Sequence, residues 1–251
     1  KALNFNLPTF SHTPLILNSE GKKLSKRDCV TSIDEFREMG YLPEALSNYM
    51  AFLGWSPKSA DREILSLEEI SEIFDLSEIN KAGAKFSWEK LNWINSQYIK
   101  NMESIKLIEI MRKYWDDNGW EPPSQEWANK LAILIRDSMT LLKDSIDQSK
   151  PFFLIPTIQK EGQDFLENKD SKASLKLILN YLIEQNTIKL NKEKAKEIIN
   201  EISKKHNIKK GILMKSLRVA FFGSLSGPDL IQSWELFAES KTDRTRIERC
   251  L

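Results

Sequence analysis

Apolar residues recur at spacings of three and four along most of the chain, a period that predicts α-helices. The longest apolar stripe predicts one continuous helix and consists of Trp127, Leu131, Ile135, Met139, Leu142 and Ile146. Further helices are predicted at Pro43–Leu53, Phe86–Tyr98, Glu103–Trp115, Lys172–Gln185, Lys192–Lys205, Lys210–Phe222 and Pro228–Glu239, with a short one at the end of the chain. Because these helices are short and unequal, the pattern favours a mainly α, irregular helical bundle over a coiled coil or a solenoid.

Helix starts and the single β signal lie in the first third of the chain. Ser32 with Glu35, and Ser66 with Glu69, have the spacing of capping boxes. The segment Pro14–Lys23, "PLILNSEGKK", places a turn sequence after apolar residues and predicts two short strands around a turn. The N-terminal part is therefore predicted to be a small mixed α and β region.

Two proline-containing segments interrupt the helical pattern. Glu121–Ser124, "EPPS", predicts a break before the long apolar stripe. Ser149–Pro156, "SKPFFLIP", has two prolines around an apolar connector, which makes it the preferred candidate for a boundary between domains.

Composition excludes several classes of protein. Apolar residues make up 41% of the 251 residues and charged residues 29%, which is typical of a globular chain. No apolar run is long enough to span a bilayer. The two cysteines, Cys29 and Cys250, are far apart, which favours a reducing compartment and no structural zinc site. The chain starts without methionine and in the middle of a pattern, so we expect it to be a piece of a longer protein.

Net charge is only +1, so any surface for nucleic acid must be a local patch. Asp61–Asn80 carries seven acidic residues against one arginine, Arg62. Ser203–Arg218 carries six lysines and arginines and no acid. A solvated helix face is the simpler explanation for each run.

Candidate chemistry concentrates in Gly21–Asp28, "GKKLSKRD", where four cations occupy eight residues. The only histidines, His12 and His206, lack partners at the spacing of a metal site or a catalytic triad, so no metal site is predicted. No glycine-rich phosphate-binding motif is present. On its own the basic segment fits either a solvated turn or a loop that neutralises phosphate.

The flanks of this segment carry a resemblance to a known family. "PLILNSEGKKLSKRD" followed by "TSIDEFREMGYLPEALSNYMAFLGWSP" resembles the glutamyl-tRNA synthetases of bacterial and cyanobacterial type, which are class I aminoacyl-tRNA synthetases. The similarity continues through "FSWEKLNWIN", "LIRDSMTLLKD" and "LRVAFFGSLSGPDL", and so covers essentially the whole chain. It implies a C-terminal fragment that starts near the KMSKS-type loop and lacks the HIGH motif and the glutamate site. Such a fragment is expected to be inactive alone.

The resemblance implies catalytic roles for Lys23, Ser25, Lys26 and Arg27, which match the KMSKS-type motif. Lys26 takes the place of the lysine that contacts the ATP phosphates, and the other three shape the loop and add positive potential. ATP and Mg²⁺ are expected in the full-length enzyme, and neither is expected to be bound to this fragment.

The family also implies a division into four parts. These are the end of the catalytic domain with its loop (1–30), a stem-contact domain (31–101) and two α-helical anticodon-binding domains (102–150 and 151–251). Lys90 matches a lysine that approaches the tRNA backbone, with a solvated helix lysine as the alternative. Trp88 and Trp93 are expected in the core, because they neighbour apolar positions of one helix.

Four residues near the C-terminus are implied in anticodon binding. Arg218 matches an arginine that packs at the anticodon, and Gly227, Pro228 and Leu230 match the loop around it. The basic Ser203–Arg218 run would then grip phosphates of unstacked, single-stranded nucleotides. Plain helix-start chemistry also accounts for Gly-Pro-Asp.

Arg136 and Ser138 mark a departure from the family pattern. Members that strictly select glutamate tRNA have a second arginine two residues after the first, where this chain has Ser138. Serine cannot reproduce the directional bonds of a guanidinium. The hypothesis is a non-discriminating enzyme that charges glutamine tRNA as well as glutamate tRNA.

Two rival functions remain open from the sequence: a stand-alone helical RNA-binding module and a helical scaffold that binds protein. The predicted partners of the preferred function are tRNA(Glu) and tRNA(Gln), with ATP and glutamate acting through the missing domain and no membrane contact. The protein is expected to be a monomer in a bacterial cytoplasm, with an organelle as the alternative.

Overall fold

The structure is a computed structural model that describes residues 6, 10, 12–25, 32–57, 62–185 and 189–251. It divides into two compact units. The first unit comprises residues 1–101 with 140–142, and the second comprises residues 102–139 with 143–251. Lys26 and Arg27 of the predicted loop lie outside the described residues.

The first unit combines short helices with a minimal sheet. Its strands β1 and β2 pair in parallel, with Ile16 opposite Ala84 and Leu17 opposite Lys85. The elements are β1 (Ile16–Leu17), α1 (Ile33–Met39), α2 (Pro43–Phe52), α3 (Leu67–Ile73), a 3₁₀ turn (Leu76–Glu78), β2 (Ala84–Lys85) and α4 (Trp88–Asn101).

Local chemistry explains how several of these elements start and turn. Both predicted capping boxes are confirmed, since the hydroxyls of Ser32 and Ser66 accept the N–H groups of Glu35 and Glu69. The predicted turn after β1 is also present, because the Asn18 side chain accepts the backbone N–H groups of residues 20 and 22. The partner strand β2 was not predicted.

The first unit is held by an aromatic and aliphatic core. Trp55, Leu65 and Ile70 form one buried cluster. The buried Asn95 of α4 accepts the Leu42 N–H at 2.9 Å and donates to the Thr140 carbonyl at 2.6 Å. Residue 140 is thereby fixed in the first unit although it lies far along the chain.

Helices are the only regular elements in the described part of the second unit. Its helices are α5 (Ser104–Asp117), α6 (Gln125–Arg136), α7 (Asp144–Phe153), α8 (Lys160–Leu166), α9 (Lys169–Glu184), α10 (Lys192–His206), α11 (Lys210–Phe222), α12 (Leu230–Glu239) and α13 (Asp243–Glu248). Together with the small parallel sheet of the first unit, this confirms the predicted mainly α fold class.

One helix prediction was wrong and one was misplaced. The long apolar stripe is not one helix: α6 ends at Arg136 and α7 begins at Asp144, while Met139 is buried in the connecting turn. The break predicted at Ser149–Pro156 is present but starts later, because α7 continues through Pro151 to Phe153 and the chain is non-helical from residue 154 to residue 159. The division proposed at 150/151 therefore falls inside a helix of the second unit, and the assignment to four parts remains a prediction.

Aromatic rings dominate the core of the second unit. Phe153 at the end of α7 packs against Trp115, Trp120 and Trp127. The Trp127 indole N–H donates to the Leu236 carbonyl at 2.9 Å, so its polar atom is satisfied although the ring is buried. This core joins α5, α6 and α7 to α12.

Candidate nucleic-acid interface

The described part of the predicted ATP loop follows the turn after β1. Leu17 and Lys23 form an antiparallel bridge, and the Leu24 N–H donates to the Ile16 carbonyl at 2.9 Å. Lys23 within this short pairing and Ser25 after it are both exposed. The backbone therefore presents the first half of the predicted motif at the surface, and the roles of its side chains remain predictions.

Lys90 lies in the first turn of α4, where its backbone N–H donates to the Ser87 hydroxyl. Its ammonium group forms an ion pair with Glu63 and lies 4.4 Å from the centre of the Trp93 ring. The ring is 42% exposed, so the prediction that Trp93 belongs to the core was wrong. Trp88 is half-buried and packs edge-on against Phe86.

Arg136 is the last residue of α6, and Ser138 lies in the turn beyond the helix. Arg136 donates to the Met102 carbonyl at 3.4 Å, and its buried Nε has no hydrogen-bond partner within the described ranges. The exposed Ser138 donates its hydroxyl proton to the Ile135 carbonyl at 2.7 Å. The structure thus places both residues at one helix end, with the serine proton already in use.

Hydrogen bonds join Arg218, in α11, to Gly227 and Pro228 in the loop that follows the helix. The Arg218 Nη1 donates to the Gly227 carbonyl at 2.8 Å and to the Pro228 carbonyl at 3.0 Å. Gly227 has φ of +146°, and a Cβ there would lie 2.9 Å from the Phe222 ring. We call residues 223–229 the α11–α12 loop. A single guanidinium closes this loop and remains partly exposed.

Leu230 differs from the other three residues predicted at this loop. It begins α12 and is only 1% exposed. Its side chain packs in the core, and its predicted role at the anticodon stays a prediction. The Asp229 carboxylate accepts the Gln232 N–H at 2.9 Å, which confirms that helix-start chemistry is also present here.

The basic run spans the end of α10 and most of α11, and we call its exposed lysines the basic surface. Asn207, at φ of +53°, ends α10. The next helix, α11, begins at Lys210. Cations at the end of α10 also complement the partial negative charge of the helix C-terminus. The exposed lysines of the basic surface are Lys204, Lys205, Lys209, Lys210 and Lys215.

Sequence reasoning missed Glu161, in the first turn of α8. Its carboxylate accepts the Ser224 hydroxyl at 3.0 Å and the Leu225 N–H at 3.2 Å. These partners lie more than sixty residues away in the α11–α12 loop, so no local spacing in the sequence could have revealed the contact.

A pair of arginines in and after α13 was also missed. Arg246 is fully buried and donates to the carbonyls of Phe221 and Leu154, at 3.1 and 3.2 Å. Arg249 donates to the carbonyls of Ala220 and Pro156. Burial lowers the pKa of the Arg246 guanidinium to about 10, and the charge of Arg249 acts in the same direction. The pair ties the end of α11 to the segment before α8.

Other kinds of site were sought in the described ranges. No helix there has the length and apolar content needed to cross a membrane. In the same ranges, no cluster of three or more His, Cys, Asp or Glu side chains is arranged to hold a metal ion.

Two family models match the chain. Residues 1–93 match the catalytic domain of class I tRNA synthetases for E and Q, and residues 106–251 match an anticodon-binding domain. The second match covers more than half of the chain and includes Arg136, Arg218 and the α11–α12 loop.

Comparisons with individual proteins agree with these models. Glutamate–tRNA ligases of Prochlorococcus marinus strains MIT 9301 and AS9601 are each 96% identical over the whole chain, which covers 53% and 52% of their lengths. The crystal structure of a glutamate tRNA ligase from Elizabethkingia meningosepticum, in complex with its amino acid, matches 99% of the chain and 52% of its own, with a TM-score of 0.89 and 31% identity. The chain thus spans about half the length of the relatives it matches, and it belongs to the glutamate–tRNA ligase family of class I aminoacyl-tRNA synthetases.

Proposed function

We propose that this chain is the tRNA-binding part of a glutamate–tRNA ligase, and that its second unit recognises the anticodon loop of tRNA(Glu). The observation that carries the proposal is the α11–α12 loop, closed by Arg218 within the region that matches an anticodon-binding domain. Anticodon nucleotides are unstacked, so a partly exposed guanidinium and adjacent backbone can stack on them or bind their edges.

The basic surface would supply the sequence-independent part of the affinity. Its five exposed lysines can neutralise phosphates next to the anticodon and release counterions. If all five engage single-stranded phosphates, the slope of log K against log salt reaches about −3.5, from roughly −0.7 for each contact. Binding of tRNA(Glu) by the chain, measured at several salt concentrations, tests this. Salt-independent binding, or none, would favour a protein-binding scaffold instead.

In the full-length protein we propose that Lys23, Ser25, Lys26 and Arg27 bind the ATP phosphates while glutamate is activated. Three cations and a hydroxyl suit a polyphosphate, and cations held in place can stabilise charge that develops during adenylyl transfer. None of the four side chains is a carboxylate, so this motif does not supply the carboxylate ligands that bind Mg²⁺ in proteins. Their placement in the motif rests on the sequence and on the match of residues 1–93 to the catalytic domain.

This chain alone is expected to lack catalysis, because only part of the nucleotide site lies within it. ATP–pyrophosphate exchange by the chain, compared with the full-length enzyme, tests this expectation, and measurable exchange by the chain would contradict it. We further propose that the full-length enzyme is a monomer of the bacterial cytoplasm, in keeping with its bacterial relatives. Light scattering of the purified enzyme would detect any dimer.

We propose that the enzyme also charges tRNA(Gln), because Ser138 stands where discriminating members have an arginine. The Ser138 hydroxyl is uncharged and cannot make the paired bonds of a guanidinium, so it offers less discrimination between bases than an arginine would. The full-length enzyme should therefore glutamylate both tRNAs, and Ser138→Arg should selectively lower charging of tRNA(Gln). Ser138→Ala is the matched control and should leave the ratio unchanged. No activity on tRNA(Gln) in the unmodified enzyme would refute the proposal.

A further inference from the structure

We infer that Glu161 is a positioning residue for anticodon recognition, which it serves by fixing the α11–α12 loop. The inference rests on the proposed function of that loop. Glu161 is exposed in the first turn of α8, and it lies outside every motif that the sequence singled out.

The geometry at Glu161 is specific. A single carboxylate oxygen, Oε1, accepts both the Ser224 hydroxyl at 3.0 Å and the Leu225 backbone N–H at 3.2 Å. A carboxylate can only accept, so the Ser224 proton must be directed towards Glu161. Ser224 is buried, and its oxygen is then available only as an acceptor inside the loop.

That orientation propagates along the loop. The Ser226 N–H donates to the Ser224 Oγ at 3.1 Å, and the two serine hydroxyls are 2.9 Å apart. Because the Ser224 proton is committed to Glu161, Ser226 must be the donor in the serine pair. Glu161 therefore sets the direction of a chain of hydrogen bonds that ends one residue before Gly227.

The loop is consequently held from both sides. Glu161 holds its first half, and Arg218 holds the carbonyls of Gly227 and Pro228 in its second half. Holding a loop in its binding conformation raises affinity, because less conformational freedom is lost when the ligand binds. If the first half of the α11–α12 loop is no longer held by Glu161, binding of the RNA element that the loop recognises should weaken. Other contacts with the RNA should stay unchanged.

Two possible effects of the Glu161 carboxylate, repulsion of phosphate and positioning of the loop, predict opposite changes in RNA affinity when the residue is replaced. A carboxylate beside an RNA-binding loop repels phosphate, so loss of its charge alone would tighten binding. A glutamine keeps one acceptor oxygen in the position that serves both hydrogen bonds, whereas an alanine keeps none. If Glu161 positions the loop, Glu161→Ala must weaken binding and Glu161→Gln must not.

The experiment measures the dissociation constants of the chain and its variants for two transcripts: tRNA(Glu), and tRNA(Glu) with its anticodon-loop nucleotides replaced. Glu161→Ala should bind tRNA(Glu) about tenfold more weakly, as expected when two hydrogen bonds to a charged acceptor are lost. It should bind the replaced transcript like the unmodified chain. Glu161→Gln should stay within about twofold of the unmodified chain for both RNAs.

Two further variants keep the test decisive. Asp164→Ala removes the same charge from an exposed position of the same helix, where Asp164 forms an ion pair with Lys160, and it should not weaken binding. Ser224→Ala removes the serine hydroxyl but keeps the Leu225 N–H bond to Glu161, so it should weaken binding of tRNA(Glu) by less than Glu161→Ala does. Because the two changes break one shared hydrogen bond, the double variant Glu161→Ala with Ser224→Ala should lose less than the sum of the two single losses.

The outcomes separate the inference from the proposed function. If the unmodified chain binds both transcripts equally, the proposed function fails and the inference fails with it. If the unmodified chain discriminates between them but Glu161→Ala binds tRNA(Glu) as tightly as before, or weakens both RNAs equally, the inference alone is overturned.

Discussion

Gly223 makes the sharpest prediction for the stability of the second unit. It ends α11 at φ of +70°, a conformation that costs a non-glycine residue about 1–2 kcal/mol. A Cβ at this position would lie 2.2 Å from the Thr157 carbonyl oxygen. The obstacle is backbone, so it cannot be relieved by rotating a side chain.

The magnitude follows from what must move. Relief of the overlap requires α11 to separate from the segment at Thr157, which would break the hydrogen bond of 2.8 Å from the Gln159 N–H to the Gly223 carbonyl. Loss of that bond costs about 1 kcal/mol. With the strain in φ, the substitution Gly223→Ala should destabilise the second unit by about 2–3 kcal/mol.

The assay is thermal unfolding of the chain followed by circular dichroism. For a unit of this size, about 2–3 kcal/mol corresponds to a fall in Tm of roughly 4–12 °C. Gly211→Ala is the matched control, because a Cβ at Gly211 meets nothing within 4 Å and the residue lies in the first turn of α11. Its helix propensity should raise stability by roughly 0.5 kcal/mol. An unchanged Tm for Gly223→Ala would refute the reasoning.

Three further predictions concern charged residues. If Lys90 contacts RNA phosphate, Glu63→Gln should free it and tighten tRNA binding up to about fivefold, since exposed ion pairs are worth about 0–1 kcal/mol; equilibrium binding measures this. Arg246→Met should lower the free energy of unfolding in urea by about 3 kcal/mol, because two buried carbonyls lose a charged donor. Burial raises the pKa of the Asp243 carboxyl above its ordinary value of 3.8. The folded chain therefore binds this proton more tightly than the unfolded chain. The free energy of unfolding should fall as the pH rises from about 4 through the raised pKa. Asp243→Asn should lack this loss, and its Tm relative to the unmodified chain should increase between pH 4 and 7.

Each of these predictions has a control. Glu72→Gln removes an exposed acid of α3 and should leave tRNA affinity nearly unchanged. Weaker tRNA binding by Glu63→Gln would contradict the idea that Glu63 and RNA phosphate compete for Lys90. Arg246→Lys should not restore stability, since a single ammonium cannot replace a fork that serves separate acceptors. A parallel pH dependence of Tm for Asp243→Asn and the unmodified chain would show that this carboxyl does not titrate as described.

What the sequence predicted well depends on interactions within a few residues. The capping boxes at Ser32 and Ser66 join groups three residues apart, so spacing alone reveals them. The bounds of α11, Lys210–Phe222, were predicted correctly because a basic start and a glycine at residue 223 delimit the apolar pattern. The family resemblance was equally accessible, since its motifs are contiguous stretches of sequence.

The errors arise where distant contacts decide the conformation. Met139 continues the apolar period of α6, yet tertiary packing buries it in a turn. The two-residue strand β2 pairs with β1 more than sixty residues earlier and has no local signal. Pro151 was interpreted as a break, because a proline inside a helix lacks an N–H and its ring crowds the preceding turn. The packing of Phe152 and Phe153 in the aromatic core stabilises the last turn of α7 against this cost.

In the candidate site too, the features carried by a local motif were predicted, and those that depend on tertiary packing were not. Residue types at Arg218, Gly227 and Pro228 were predicted from the motif, and the structure brings them into one hydrogen-bonded loop. Burial of Leu230 and the contact from Glu161 depend on how α8 and α12 pack, which no motif records.

The most direct test of the central claim is photo-cross-linking from the α11–α12 loop to RNA. A benzophenone side chain replaces Leu225 in the chain, and the cross-linked nucleotides of bound tRNA(Glu) are mapped. A second chain carries the same group at Ile183, which is exposed on α9 and serves as the control position. The account predicts cross-links from position 225 to nucleotides of the anticodon loop, well above the control. Cross-links confined to the acceptor stem, or no stronger than those from position 183, would contradict it.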